Sequence, residues 1–209
     1  MLSKNIDKYT FSQQHDDLSF GKRVWYFFWD LIKVVAVALA IIIPVRYFLI
    51  QPFYVQGASM EPSFYDHEYL IIDELSYRFS NPERGDIVVF KYPKDPTQFF
   101  IKRVIGLPGE TVEVKDGFVF IYTDVGEKKY LLDEFNYLDQ TVQTRGDKRW
   151  QLEADEYYVM GDNREHSLDS RLFGPVSRGF IVGKVWLRGW PLDRAKVFDQ
   201  VDYVQFNSN

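Results

Sequence analysis

The run from residue 31 to residue 50 constrains this 209-residue chain more than any other feature, being almost wholly apolar and broken only by Lys33, Pro44 and Arg46. At 1.5 Å per residue, a helix of that length spans roughly 30 Å, about the hydrocarbon thickness of a bilayer. The run therefore predicts one transmembrane helix over 31–50. Aromatic residues bracket it, with Trp25, Tyr26, Phe27, Phe28 and Trp29 before and Tyr47, Phe48, Phe53 and Tyr54 after, as expected of side chains seated at two interfaces. Lys33 and Arg46 can snorkel outward from opposite ends. The alternatives are a cleaved secretory signal, whose apolar stretch would start sooner and be shorter, and a buried soluble helix. Lys22, Arg23 and Lys33 gather on the amino-terminal flank. The positive-inside tendency thus predicts a cytoplasmic segment 1–30 and an extracytoplasmic domain 51–209.

Composition limits what that outer domain can be. Hydrophobic residues make up 46% of the chain and aromatic residues 18%, enough for a packed core, so disorder is excluded as the overall state. With 25 Lys+Arg against 30 Asp+Glu the formal charge is −5, which excludes a general nucleic-acid binder. The absence of cysteine removes a disulfide scaffold, a thiolate zinc site and a cysteine nucleophile. His15, His67 and His166 are the only histidines, which argues against a multi-histidine metal site. Neither a metal nor a cofactor is expected.

Beyond Gln51 the pattern becomes short apolar runs separated by turn residues. Tyr69 to Leu75, Asp86 to Tyr92, Phe99 to Ile105, Tyr157 to Met160 and Ile181 to Leu187 read as strands, being rich in Val, Ile, Phe and Tyr. Thr111 to Lys115 and Phe118 to Tyr122 flank Asp116-Gly117, a strong two-residue hairpin signal. The fold class is mainly β after one amino-terminal helix. Between about 116 and 153 charge density rises and periodicity weakens (Asp124, Glu127, Lys128, Lys129, Asp133, Glu134), which predicts a peripheral insertion.

Three segments carry candidate chemistry. In Gln56-Gly57-Ala58-Ser59-Met60-Glu61-Pro62, Gly57 and Ala58 let backbone amides approach a ligand closely, ahead of a proline-fixed bend. Ser59 there is either a nucleophile beside an oxyanion hole or an idle serine in a small-residue turn. In the run from Gln98 to Glu110, strand alternation puts Phe100, Lys102 and Val104 on one face and Ile101 and Arg103 on the other. A lysine flanked by Phe and Val can lose its hydration shell and become a neutral base, or it can snorkel from a half-buried strand. The segment Gly161-Asp162-Asn163-Arg164-Glu165-His166-Ser167-Leu168-Asp169-Ser170-Arg171 is either a solvated loop or, given its dense mixture of pairing groups, a rigid hydrogen-bonded platform.

In this order the segments resemble the bacterial type I signal peptidases, also called leader peptidases. The resemblance rests on Ser59-Met60-Glu61-Pro62-Ser63, on Arg84-Gly85-Asp86-Ile87-Val88-Val89, on Lys102 to Glu110 and on Gly161 to Arg171. With the anchor it covers about residues 30 to 190, and the single anchor and short insertion look more like the Gram-positive members. It implies a signal-peptidase-like β-rich catalytic domain and a serine protease that uses a Ser-Lys dyad. Ser59 matches the nucleophile and Lys102 the general base. Ser167 matches the serine that orients the lysine amine, Asp169 and Arg171 the acid and arginine that support that end. Arg103 and Asp162 match a further structural pair, and Gly161 the small residue packed near the dyad.

The Ser59 backbone amide and the Gly57 region match the oxyanion site, although Gly57 stands where some members carry a serine whose hydroxyl helps. Ser63-Phe64 replaces the commoner Thr-Leu. The implied partners are signal-peptide-bearing preproteins, cut after a small-x-small sequence, and the lipid bilayer, with the secretion translocon open as a third. A cell-membrane protein with a single span is implied, its Ser59 held close to the outer interface. Two other classes remain as alternatives: a membrane-anchored non-catalytic β-rich binding domain, and a Ser-His-Asp hydrolase built from Ser59 with His67 or His166.

Overall fold

A computed structural model describes residues 20–48, 50–123, 128–139 and 141–198. The expected cytoplasmic segment up to residue 19, with His15, and Asp124 and Glu127 of the expected insertion lie outside the described residues, as do the side chains of Arg46, Tyr47 and Phe48. The chain divides into two compact units, one ending at Pro44 and the other starting at Val45.

Helix α1 spans Phe20–Phe48, starting earlier than the apolar run because the aromatic stretch before it holds no residue that stops a helix. Within it, Phe20–Ile43 is 24 residues long and apolar enough to cross a membrane, with none of it buried. Trp25, Phe27, Val34 and Ile41 are all exposed. Lys33 Nζ donates to Asp30 Oδ1 at 3.1 Å, so the charges nearest the middle of the helix partner each other one turn apart.

The second unit is β-rich. Among the described residues the larger sheet contains β1 (Ile50–Tyr54), β2 (Tyr69–Asp73), β3 (Ile87–Tyr92), β4 (Asp95–Gly106), β9 (Glu156–Met160), β10 (Val176–Ser177), β11 (Ile181–Trp190) and β12 (Lys196–Val197). Its order is β1-β2-β11-β3-β4-β9-β10, with β12 beside β11, and every pairing is antiparallel. A smaller sheet orders β7 (Lys128–Leu131), β6 (Phe118–Thr123), β5 (Thr111–Lys115) and β8 (Lys148–Gln151). The turn between β5 and β6 is the one the sequence predicts, with Asp116 and Gly117 both at positive φ (51° and 86°), as a type I′ hairpin requires. A one-turn helix, α2 (Ser170–Phe173), is capped by the Asp169 carboxylate, which accepts from the Arg171 N–H.

The larger sheet is covered on both faces. Val88, Phe90, Val104, Val159 and Phe100 pack in one apolar cluster, while Ile87, Val89, Ile101, Met60, Phe64 and Ile72 pack in the other. This is the alternation of β3 and β4 read out in space. A third cluster joins Val112, Val114, Val119, Ile121, Leu132 and Leu152 of the smaller sheet and its loops to Ile105, Tyr158 and Met160 of the larger. Residues 116–153 are therefore not peripheral throughout. They supply β6, β7 and β8, and Leu132, Leu138 and Leu152 are buried. Their polar appearance arises because the apolar positions are widely spaced among charged ones.

Candidate active site

The long strand β4 positions the site. Its register pairs Val88 with Lys102 and Ile87 with Arg103 on the β3 side, and Arg103 with Met160 on the β9 side. The β9 pairing begins at Arg103, so the run from Gln98 to Lys102 borders an open cleft of about 500 Å³, lined among others by Tyr54, Gly57, Ser59, Phe99, Leu168 and Lys102. Ser59 reaches this cleft on the loop between β1 and β2. The loop ends are tied by Val55 N–H to the Glu68 carbonyl at 2.9 Å and by His67 N–H to the Val55 carbonyl at 3.0 Å. Met60 and Phe64, at 1% and 0% exposure, plug its middle into the core. Burying those two side chains stabilises the loop by roughly 2 kcal/mol each, which leaves half-buried Ser59 little freedom.

Lys102 Nζ lies 2.7 Å from Ser59 Oγ and donates to the Ile101 carbonyl at 2.7 Å. The lysine is 4% exposed, and its amine sits 5.5 Å from the centre of the Phe100 ring. Burial pushes its pKa down to about 8, with Asp169 and Asp162 opposing the shift through their negative charge. Neither acid forms an ion pair with it. A fraction of the amine is therefore neutral near neutral pH, with a hydroxyl proton in reach.

The loop from residue 161 to residue 171 is a network of buried pairs. Arg103 donates to Asp162 through Nε at 2.8 Å and Nη2 at 2.6 Å. Its Nη1 donates to the Gly85 carbonyl at 3.0 Å, and its guanidinium lies 3.9 Å from the Tyr137 ring centre. Arg171 donates to Asp169 at 2.8 and 2.7 Å, and Asp169 also accepts from Gly161 N–H at 3.1 Å. Gly161 has no room for a side chain, because a Cβ there would stand 2.2 Å from Ser167 Oγ and 2.4 Å from the Ser59 carbonyl oxygen.

The family model described as signal peptidase, peptidase S26 matches residues 28–190. This chain belongs to that family. A signal peptidase I of Leptolyngbya laminosa is 36% identical over 174 residues, covering 78% of this chain and 80% of its own. Signal peptidase I P of Bacillus subtilis subsp. natto is 36% identical over 170 residues, 80% of this chain and 91% of its own. A solved signal peptidase I of Enterococcus faecalis V583 is 31% identical, covers 50% of this chain and 97% of its own, and has a TM-score of 0.41.

In this family member, Ser167 lacks the contact that the resemblance implies for it. Ser167 Oγ is buried without a hydrogen-bond partner, and the Lys102 amine is held by Ile101 and Ser59 instead. Gly57 has a φ of 86° with open space around it, and its N–H donates to Asp66 Oδ1 at 2.9 Å. A serine would fit there by volume but would strain the backbone. His67 pairs with Asp66 at 2.8 Å, and His166 sits 3.3 Å from Asn163 Oδ1. Among the described residues no histidine bonds Ser59, and no three acidic or histidine side chains converge as metal ligands.

Sequence reasoning missed several contributors. Arg164, fully enclosed, grips Glu134 with two nitrogens and Thr144 with one of them, tying the 116–153 segment to the site. Asp66 and Asn163 fasten the serine loop from either side. Arg164 and Asn163 lie inside the quoted motif, but nothing local reveals what they grip.

Proposed function

We propose that this signal peptidase family member cuts signal peptides from preproteins with Ser59 as nucleophile and Lys102 as general base. The serine endopeptidase activity follows from family membership, and the observation that supports the dyad is the buried amine 2.7 Å from Ser59 Oγ. In this mechanism Ser59 Oγ attacks the scissile carbonyl carbon while its proton passes to the lone pair of Lys102 Nζ. The carbonyl oxygen becomes an oxyanion facing the Ser59 N–H. As the C–N bond breaks, the Lys102 ammonium returns the proton to the leaving amine of the mature protein, and the signal peptide remains as an ester on Ser59. Water attacks the ester, its proton passes through Lys102 back to Ser59 Oγ, and the signal peptide leaves with a new carboxylate.

Asp162 with Arg103 and Asp169 with Arg171 hold the loop at the back of the dyad, and Gly161 allows the Ser59 carbonyl to approach it. Ser167 Oγ borders Gly161, and the family resemblance gives it the role of orienting the Lys102 amine. Helix α1, whose apolar side chains are exposed, anchors the chain in the bilayer with its basic flank cytoplasmic and the β-rich unit outside, where emerging preproteins and the secretion translocon meet it. The preferred cut follows a small-x-small sequence.

Incubation of the purified protein with a preprotein, followed by mass spectrometry, is expected to find one cut after small-x-small, lost in Ser59→Ala. Cleavage by Ser59→Ala would overturn the nucleophile. External protease on spheroplasts is expected to digest a tag placed after Asn209 and spare one placed before Lys22, and the reverse pattern would overturn the orientation.

A further inference from the structure

Two consecutive carbonyls of the serine loop are held by one residue far away in the chain. Asn163 Nδ2 donates to the Ala58 carbonyl at 3.0 Å, and the Asn163 N–H donates to the Ser59 carbonyl at 3.1 Å. The orientation of its side-chain amide is fixed by its other end, since Oδ1 accepts from His166 N–H at 3.3 Å. The donor end must then face Ala58. Asn163 is itself seated by the preceding residue, Asp162, whose carboxylate is clamped by Arg103.

The Ala58 carbonyl and the Ser59 N–H belong to one peptide group, and that group is trans. In a trans peptide the C=O and N–H lie in one rigid plane and point in opposite directions. Fixing the carbonyl therefore fixes the direction of the N–H. Among the described residues the Ser59 N–H has no hydrogen-bond partner, so it is a preorganised donor next to the nucleophile. With glycine at 57 there is no side-chain hydroxyl beside it to share the charge. We infer that Asn163 is a positioning residue for catalysis, aiming the Ser59 N–H at the developing oxyanion by holding the Ala58 carbonyl. This rests on the assignment of Ser59 as nucleophile. It makes β4 the origin of both halves of the site, carrying the base at Lys102 and, through Arg103, Asp162 and Asn163, steadying the oxyanion donor.

The test uses the full-length protein in detergent. Asn163→Asp keeps the acceptor for His166 and replaces the donor by an oxygen that repels the Ala58 carbonyl. It is expected to lower plateau kcat roughly ten- to hundredfold and to leave KM within about twofold, while the pH midpoint of kcat/KM, read in the uncharged Asn163→Gln, should be unchanged. A peptide aldehyde ending in a small-x-small sequence, whose adduct with Ser59 places an oxyanion in the same position, should bind more weakly by the factor lost from kcat/KM. An uncleavable peptide should bind as before. Asn163→Gln, which retains a donor on a longer side chain, should show an intermediate kcat, and it carries the same measurements if Asn163→Asp does not fold.

Wild-type kcat in Asn163→Asp, a loss confined to KM, equal weakening of aldehyde and uncleavable peptide, or a shifted pH midpoint in Asn163→Gln would each overturn the inference. Ser59→Ala, run in parallel, separates the two readings. Activity in Ser59→Ala defeats the nucleophile assignment, whereas an inactive Ser59→Ala beside a fully active Asn163→Asp defeats only the role of Asn163.

Discussion

Lys102 and Arg103 are consecutive residues of β4, 4% and 2% exposed, yet their positive charges meet opposite surroundings. Arg103 faces a carboxylate that takes two of its nitrogens, a carbonyl that takes a third, and an aromatic ring. Lys102 faces a hydroxyl, a carbonyl and the edge of an apolar cluster, with no carboxylate at ion-pair distance. A guanidinium does not shed its proton in a protein, so its burial has to be answered by an anion. An amine can shed its proton, and burial, opposed only in part by the charges of Asp169 and Asp162, brings its pKa down to about 8. One side of the strand has stabilised a buried charge, and the other has weakened an amine's hold on its proton, as the proposed base requires.

The sharpest way to break this contrast is to make the two sides alike. Lys102→Arg keeps the charge on the dyad side but supplies a group that cannot deprotonate. Cleavage, followed by preprotein processing, is expected to fall by roughly three orders of magnitude or more with the fold retained by circular dichroism. Substantial activity would mean that Lys102 serves as a fixed cation.

On the other side, Asp162→Ala leaves the Arg103 guanidinium buried without its anion. Urea unfolding should show a loss of about 3–5 kcal/mol, while Asp162→Ala combined with Arg103→Met should recover part of it. An Asp162→Ala variant as stable as the parent would show that Arg103 is not committed to that partner.

The Lys102 side has its own stability signature. Its pKa is about 8 in the folded chain and about 10.4 when free in the unfolded one. Between those values the unfolded state binds more protons, so stability should rise with pH from about 8 to about 10.4, by roughly 3 kcal/mol. Below pH 8 both states are protonated and the burial cost is fully present. Lys102→Met should therefore be more stable than the parent at pH 7 and lack that rise, as read from urea midpoints across the window. Over the same range kcat/KM of the parent should climb to a plateau with an apparent pKa near 8. A limb close to that of free lysine would mean that the amine is not desolvated.

The smallest effect is expected away from both sides of β4. His67 and His166 are occupied by Asp66 and Asn163, so His67→Gln and His166→Gln should keep kcat within about an order of magnitude. A loss comparable to that of Lys102→Arg in either would revive a Ser-His-Asp arrangement.

Part of the fold and part of the site are legible in the sequence alone. The hairpin at Asp116-Gly117 can be read because two adjacent residues suited to positive φ leave few alternatives. The alternation of Phe100, Lys102 and Val104 can be read because a strand has a period of two. Strands β7 and β8 cannot. Lys128-Lys129-Tyr130-Leu131 and Lys148-Arg149-Trp150-Gln151 look like solvated loop. Two of their cations instead lie over aromatic rings, Lys129 3.8 Å from the centre of Phe120 and Arg149 4.3 Å from that of Tyr122, so these charged residues cover one face of a sheet. The start of β4, Asp95-Pro96-Thr97-Gln98, is hidden for the same reason of polarity.

The sequence by itself determined the apolar helix, the mainly β character of the chain beyond it, and the apolar neighbours that flank Lys102 on its own strand. All of these depend on residues within a few positions of one another. Which serine meets that lysine and which acid meets Arg103 came only from the resemblance, and it is the tertiary structure that brings these partners together across 43 and 59 residues. It also decided that Asn163 grips the Ala58 carbonyl 105 residues away. Those partnerships arise from the register of β3, β4 and β9 and from the loop plugged by Met60 and Phe64. The desolvation that lowers the Lys102 pKa is likewise a sum over everything packed around it, which no local pattern contains.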